Sequence, residues 1–83
     1  VNKKKKQFFE INIITFYQKI KYERSSELFQ ESQEHFDSNE LEQTLSKALE
    51  CVKIRESIFP FESYHLGIAY DLLAEIYAFQ GFI

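Results

Sequence analysis

Tyr70-Asp71-Leu72-Leu73-Ala74-Glu75-Ile76-Tyr77-Ala78-Phe79-Gln80-Gly81 is the stretch on which the fold turns. Tyr70, Leu73, Ala74 and Tyr77 stand at i, i+3, i+4 and i+7, the spacing of one helical face, and no proline interrupts them. Gly81 supplies the left-handed exit that ends many helices. Upstream, Ser63 can accept a hydrogen bond from the free amides of a first turn. The spacing therefore predicts a helix over 64–79 with the face Leu66, Gly67, Tyr70, Leu73, Ala74 and Tyr77. Ala74 is small where a neighbouring helix would have to approach closely.

Working outward, the block 40–59 carries Leu41, Leu45, Ala48, Leu49, Val52 and Ile58, with Cys51 beside them, and stops before Pro60, which disfavours helical geometry in the residue ahead of it. Asp37, Ser38 and Asn39 form a polar break, and Asn39 with Glu42 is spaced like a capping box. Before that break, Leu28, Phe29, Ser32, His35 and Phe36 share one face of a helix over 25–36. Nearer the start, Phe9, Ile13, Phe16 and Ile20 recur at helical spacing, widened by Ile14 and Tyr17. Phe9, Ile11 and Ile13 also alternate with polar neighbours, so a short strand over 8–14 is the competing reading. The expected fold is all-α, four helices joined by short breaks, with neighbours antiparallel.

A shift of 42 positions sets Leu28 on Tyr70, Ser32 on Ala74, His35 on Tyr77 and Asn39 on Gly81, while Glu31 falls unequally on Leu73. With Tyr70, Leu73, Ala74, Tyr77 and Gly81 in that order, the stretch 73–81 resembles the first helix of a tetratricopeptide repeat. The stretch 48–56, from Ala48 to Glu56, looks like a second helix of the longer, roughly 42-residue kind. The resemblance covers about residues 25–83 and is carried by packing residues. It implies structural repeat positions at Leu28, Ser32, His35, Ala48, Tyr70, Leu73, Ala74, Tyr77 and Gly81, in an antiparallel helix-turn-helix array. It also implies a module that holds a protein or peptide against a concave helical surface. Residues 1–24 are then a basic tail and leading helix, and 25–83 the repeats, the last one incomplete.

A narrower resemblance joins 64–75, from Tyr64 to Glu75, to the C-terminal helical region of SET and MYND domain lysine methyltransferases. It implies an accessory region that assists substrate placement beside a catalytic domain upstream. The zinc-binding cysteine cluster and the cofactor motif of that family are not in these 83 residues. The start at Val1 and the apolar end Gly81, Phe82, Ile83 lead to the expectation of a fragment of a longer chain.

Composition agrees with one small domain. The chain is 45% hydrophobic and 28% charged, with two glycines and one proline, which favours long helices over disorder. One cysteine cannot form an internal disulfide, and two histidines with it fall short of a zinc set, pointing to an intracellular protein. No apolar run approaches a membrane span. Residues 1–24 carry seven Lys or Arg against Glu10 and Glu23, net +5, whereas residues 25–83 carry three against eleven acids, net −8. An acidic body repels phosphates, so nucleic-acid binding would rest on Lys3 to Lys6 alone and is not expected.

The reactive residue types read as structure. Cys51 lies among apolar positions of its helix and has no motif supplying a base. His35 occupies the aromatic position of the first repeat, and His65 falls in a first turn, where solvent is its expected environment. Glu27, Glu31 and Glu34 lie along one edge as a solvated acidic face rather than a metal site. With only Gly67 and Gly81 there is no phosphate loop. No catalytic, cofactor or metal residue is assigned. In chaperone-binding repeats, Lys, Asn and Arg clamp a peptide's terminal carboxylate. Here Phe29, Gln33, Asp71 and Leu72 stand around those places, which does not support capture of an acidic tail.

Overall fold

A computed structural model describes the backbone of residues 2–81 and the side chains of residues 15–81. Three helices follow one another: α1, Asn2–Asp37; α2, Leu41–Ile58; and α3, Tyr64–Phe79. The fold is all-α, as expected, but the helix count differs. The two blocks expected before residue 37 are a single helix of 36 residues. Nothing between them stops a helix, since Gln18, Lys19, Lys21, Glu23 and Arg24 are good helix formers and neither Gly nor Pro occurs there. The backbone over 8–14 is helical too, so the strand reading fails. At 1.5 Å per residue α1 runs roughly 54 Å, close to the 58 Å longest extent of the molecule. Phe16, Tyr17 and Ile20 on it are exposed. Phe9, Ile13 and Ile14 lie outside the described side chains.

The turn after α1 corrects a second expectation. Asn39 takes a left-handed φ of 61°. Its amide donates to the Phe36 carbonyl at 3.0 Å, and the Glu40 amide to the His35 carbonyl at 2.9 Å. This bonding pattern is the Schellman close of a helix, with Asn39 tolerated in the left-handed region because its short polar side chain suits it. Asn39 thus ends α1, and α2 begins after Glu40 with no side-chain cap, so the capping box with Glu42 is not formed. The other boundaries follow the sequence. Phe59, before Pro60, is extended at φ −119° and ψ 147°. The Ser63 Oγ accepts from the His65 amide at 3.2 Å and caps α3.

Cross-helix contacts fix directions. Ser32 meets Thr44 and Ser25 meets Arg55, so α1 and α2 run antiparallel. Arg55 meets His65, and Ala48 packs with Leu72 and Ile76, so α3 reverses again. Tyr22 pairs with His65 and Phe36 with Phe79, which makes α1 and α3 parallel neighbours. The core lies where the three meet. Leu28, Cys51, Val52 and Ala69 form one buried cluster, and Ala48, Leu72 and Ile76 the other. Phe29 and Leu73 pack against both.

The face of α3 that is buried is Leu66, Ala69, Leu72 and Ile76. The expected face ran through Gly67, Tyr70, Ala74 and Tyr77. Of these, Gly67 and Ala74 are exposed and the two tyrosines half-buried. The segment is apolar nearly all round, so two registers of helical spacing fit it equally well, and contact with α1 and α2 selects one. No helix among the described residues is long and apolar enough to cross a membrane.

Candidate functional site

Because α1 and α3 are parallel, their facing sides leave a groove of about 370 Å³. Gln33, Phe36 and Asp37 of α1 line one wall, and Leu72 and Glu75 of α3 the other. Leu72 is buried and gives the groove an apolar base, while Gln33, Asp37 and Glu75 are exposed at its rim. Phe36 of the groove wall packs on Phe79 at one end of the two helices, ring centroids 5.0 Å apart at 69°. Both helices have their C-termini on that side, so the negative poles of their dipoles lie together there. The ionisable residues lining the groove are both acids, Asp37 and Glu75.

At the opposite end, Thr15, Gln18, Lys19, Tyr22, Ile58, Phe59 and His65 surround a second hollow of about 380 Å³. His65 is half-buried rather than solvated. Its ring stacks on Phe59 with centroids 5.1 Å apart, and its Nδ1 lies 3.2 Å from the Tyr22 hydroxyl. The overhanging length of α1 brings Tyr22 there, which a separate, shorter first helix would not.

Behind this corner lies Arg55, only 4% exposed, a residue the sequence reading passed over because arginine scores as surface. Its Nε donates to Ser25 Oγ at 3.0 Å and an Nη to the His65 carbonyl at 2.9 Å. The second Nη reaches Ser26 Oγ at 3.4 Å. The guanidinium lies 5.3 Å from the Tyr22 ring centroid and 5.4 Å from that of Phe29. Hydroxyls, a carbonyl and two aromatic faces thus hold the cation, and it ties all three helices together.

The other reactive residue types lie in packing or ion-pair surroundings. Cys51 is a buried free thiol, pushed above its ordinary value by burial, with the Arg55 charge acting weakly the other way. The protonated, unreactive form is thereby favoured. His35 is half-buried with Nδ1 3.2 Å from Glu40 Oε1. Of the three glutamates expected on a solvated edge, Glu31 is half-buried and bridges Lys47 at 3.3 Å and Arg24 at 3.8 Å. Among the described residues no group of three His, Cys, Asp or Glu is placed to hold a metal ion.

The positions expected to repeat divide by environment. Leu28, Ser32 and Ala48 are fully buried where α1 crosses α2, and Ser32 Oγ donates to the Thr44 carbonyl at 2.8 Å. Tyr70 is half-buried and its hydroxyl donates to Glu56 Oε2 at 2.7 Å. Leu73 packs against both core clusters, Tyr77 is half-buried and Ala74 exposed. Gly81 adopts φ 81°, and its amide donates to the Ala78 carbonyl at 3.1 Å. No family model, no curated protein and no solved structure matches the chain.

Proposed function

We propose that this chain is a non-catalytic helical-repeat module that holds a protein or peptide segment in the groove between α1 and α3. The observation that carries the reading is the groove itself, a trough between parallel helices with an apolar base at Leu72 and a polar rim. Parallel first helices separated by an antiparallel second helix are the arrangement in which such a trough extends from one repeat to the next. The 42-residue offset, which pairs Leu28 with Tyr70 and the two left-handed turn residues Asn39 and Gly81, supports a repeat of tetratricopeptide type. A buried free thiol at Cys51 supports the intracellular reading. The alternative, an accessory region of a SET and MYND domain lysine methyltransferase, makes no separate claim on these residues.

Selection of random dodecapeptides displayed on phage tests the proposal. Gln33→Trp replaces an exposed rim residue with a ring bulky enough to obstruct the groove from its α1 wall. Peptides enriched on the wild-type chain should lose binding about tenfold on this variant while its thermal melt stays unchanged. Enriched peptides that ignore Gln33→Trp, or no enrichment, would overturn the reading.

A further inference from the structure

The groove is also chemically one-sided. We infer that its occupant is a segment bearing lysine or arginine, one basic side chain seating between Asp37 and Glu75 at the Phe36 end. This rests on the groove reading above and names its partner class.

Four features converge on that end. Asp37 and Glu75 line opposite walls, so a cation entering the groove is drawn by a carboxylate on each helix. The helices are parallel, so the negative poles of both dipoles face the same place, and two half-charges add instead of cancelling. Phe36 lines the groove and Phe79, 59% exposed, stands edge-on to it, which offers ring faces to an ammonium or guanidinium. Finally, neither Asp37 nor Glu75 forms an ion pair among the described residues. Of the three cations in residues 25–81, Arg55 is buried and Lys47 is engaged by Glu31, leaving Lys53 against the ten other acids of the same span. An anionic segment would meet repulsion at every one of these points. An uncharged one would gain nothing from either carboxylate.

The stem of Lys or Arg suits the rest of the groove. Its methylenes can lie along Leu72 and Phe36 while the charged head reaches the carboxylates. Gln33 at the rim can bond the backbone of an extended segment.

Three display libraries of dodecapeptides test this, with alternate positions restricted to Lys or Arg, to Gln or Asn, or to Glu or Asp. Enrichment is read by sequencing on the wild-type chain and on Gln33→Trp to isolate groove-dependent binders. We expect the Lys or Arg library to exceed the Gln or Asn library by about tenfold in groove-dependent enrichment, and the acidic library to give none. Asp37→Asn with Glu75→Gln should erase that preference. Glu42→Gln with Glu50→Gln, on α2 and outside the groove, should leave it intact.

Equal enrichment from the basic and the uncharged libraries would overturn this inference and leave the groove reading standing. A preference that survives Asp37→Asn with Glu75→Gln, or that vanishes equally in the α2 variant, would assign it to general surface charge and overturn it. So would sedimentation showing a dimer that dissolves in Asp37→Asn with Glu75→Gln, since the occupant would then be a second copy. No groove-dependent peptide from any library would end both readings.

Discussion

Asn39 and Gly81 stand 42 positions apart and close their helices in the same way. Each has a left-handed backbone, φ 61° and 81°, and each amide donates to the carbonyl three residues back. The backbone thus repeats the sequence offset at the two places where conformational freedom matters most. Asn tolerates this region at some cost and Gly at none. Asn39→Gly should therefore hold or slightly raise the melting temperature, and Asn39→Ala should destabilise by about 1 kcal/mol, read by urea denaturation. An alanine variant as stable as the glycine one would contradict the turn assignment.

Arg55 gives the second prediction. Its planar fork serves Ser25, Ser26 and the His65 carbonyl at once, and a lysine cannot reach all three. Arg55→Lys should cost about 2–4 kcal/mol, because a charge would stay buried with fewer partners. Arg55→Met keeps much of the volume between the Tyr22 and Phe29 rings and removes the buried charge, so it should cost less than the lysine. The reverse order in denaturant titrations would show that charge, not directed hydrogen bonding, is what this position requires.

Alkaline pH is expected to weaken the fold, and the sign follows from two groups. Burial holds the Cys51 thiol above its ordinary value of 9.0. The hydrogen bond to Glu56, followed by desolvation and the Glu56 charge, holds the Tyr70 hydroxyl above 10.0. In both cases the folded chain keeps a proton that the unfolded chain releases sooner. Stability from these groups is fully present below about pH 9 and is lost as pH rises through the folded values. Thermal melts should be flat in this respect up to pH 9 and fall beyond it. Cys51→Ala together with Tyr70→Phe should flatten that decline, and an unchanged slope would place the sensitivity elsewhere.

The parts legible in the sequence share a physical cause. Pro60 acts through local sterics, Ser63 through a bond two residues away, and Gly81 through its missing side chain, so α3 and the end of α2 are readable without tertiary knowledge. The helix count before residue 37 is not legible because hydrophobic periodicity weakens over Lys21 to Arg24 although helix propensity does not. The groove was hidden for a different reason. Phe36 belongs to one block and Leu72 to another, and only the parallel seating of α1 and α3 makes them walls of one trough. Gln33 and Leu72 read in sequence only as places lacking a carboxylate clamp. Arg55 and the half-buried His65 depend on a contact 43 residues away with Tyr22, to which no local pattern points.

The last prediction concerns two equivalent surfaces that differ in what covers them. Ser32 on α1 is fully buried, its hydroxyl bonded to the Thr44 carbonyl, because α2 crosses there. Ala74, its equivalent at the 42-residue offset, is exposed on α3, and a Cβ added at nearby Gly67 would meet nothing within 4 Å. In these 83 residues Ser32→Leu should therefore cost at least the 1–3 kcal/mol typical of overpacking, together with the lost hydrogen bond of about 1 kcal/mol. Ala74→Leu should change stability by less than about 0.5 kcal/mol, as surface substitutions do. In a longer chain where another helix packs on α3 as α2 packs on α1, Ala74→Leu should become as costly as overpacking elsewhere. Paired melts of Ala74→Leu in the two chain lengths separate these outcomes. If the substitution is silent in both, α3 does not repeat the role of α1, and the tetratricopeptide reading loses its main structural consequence.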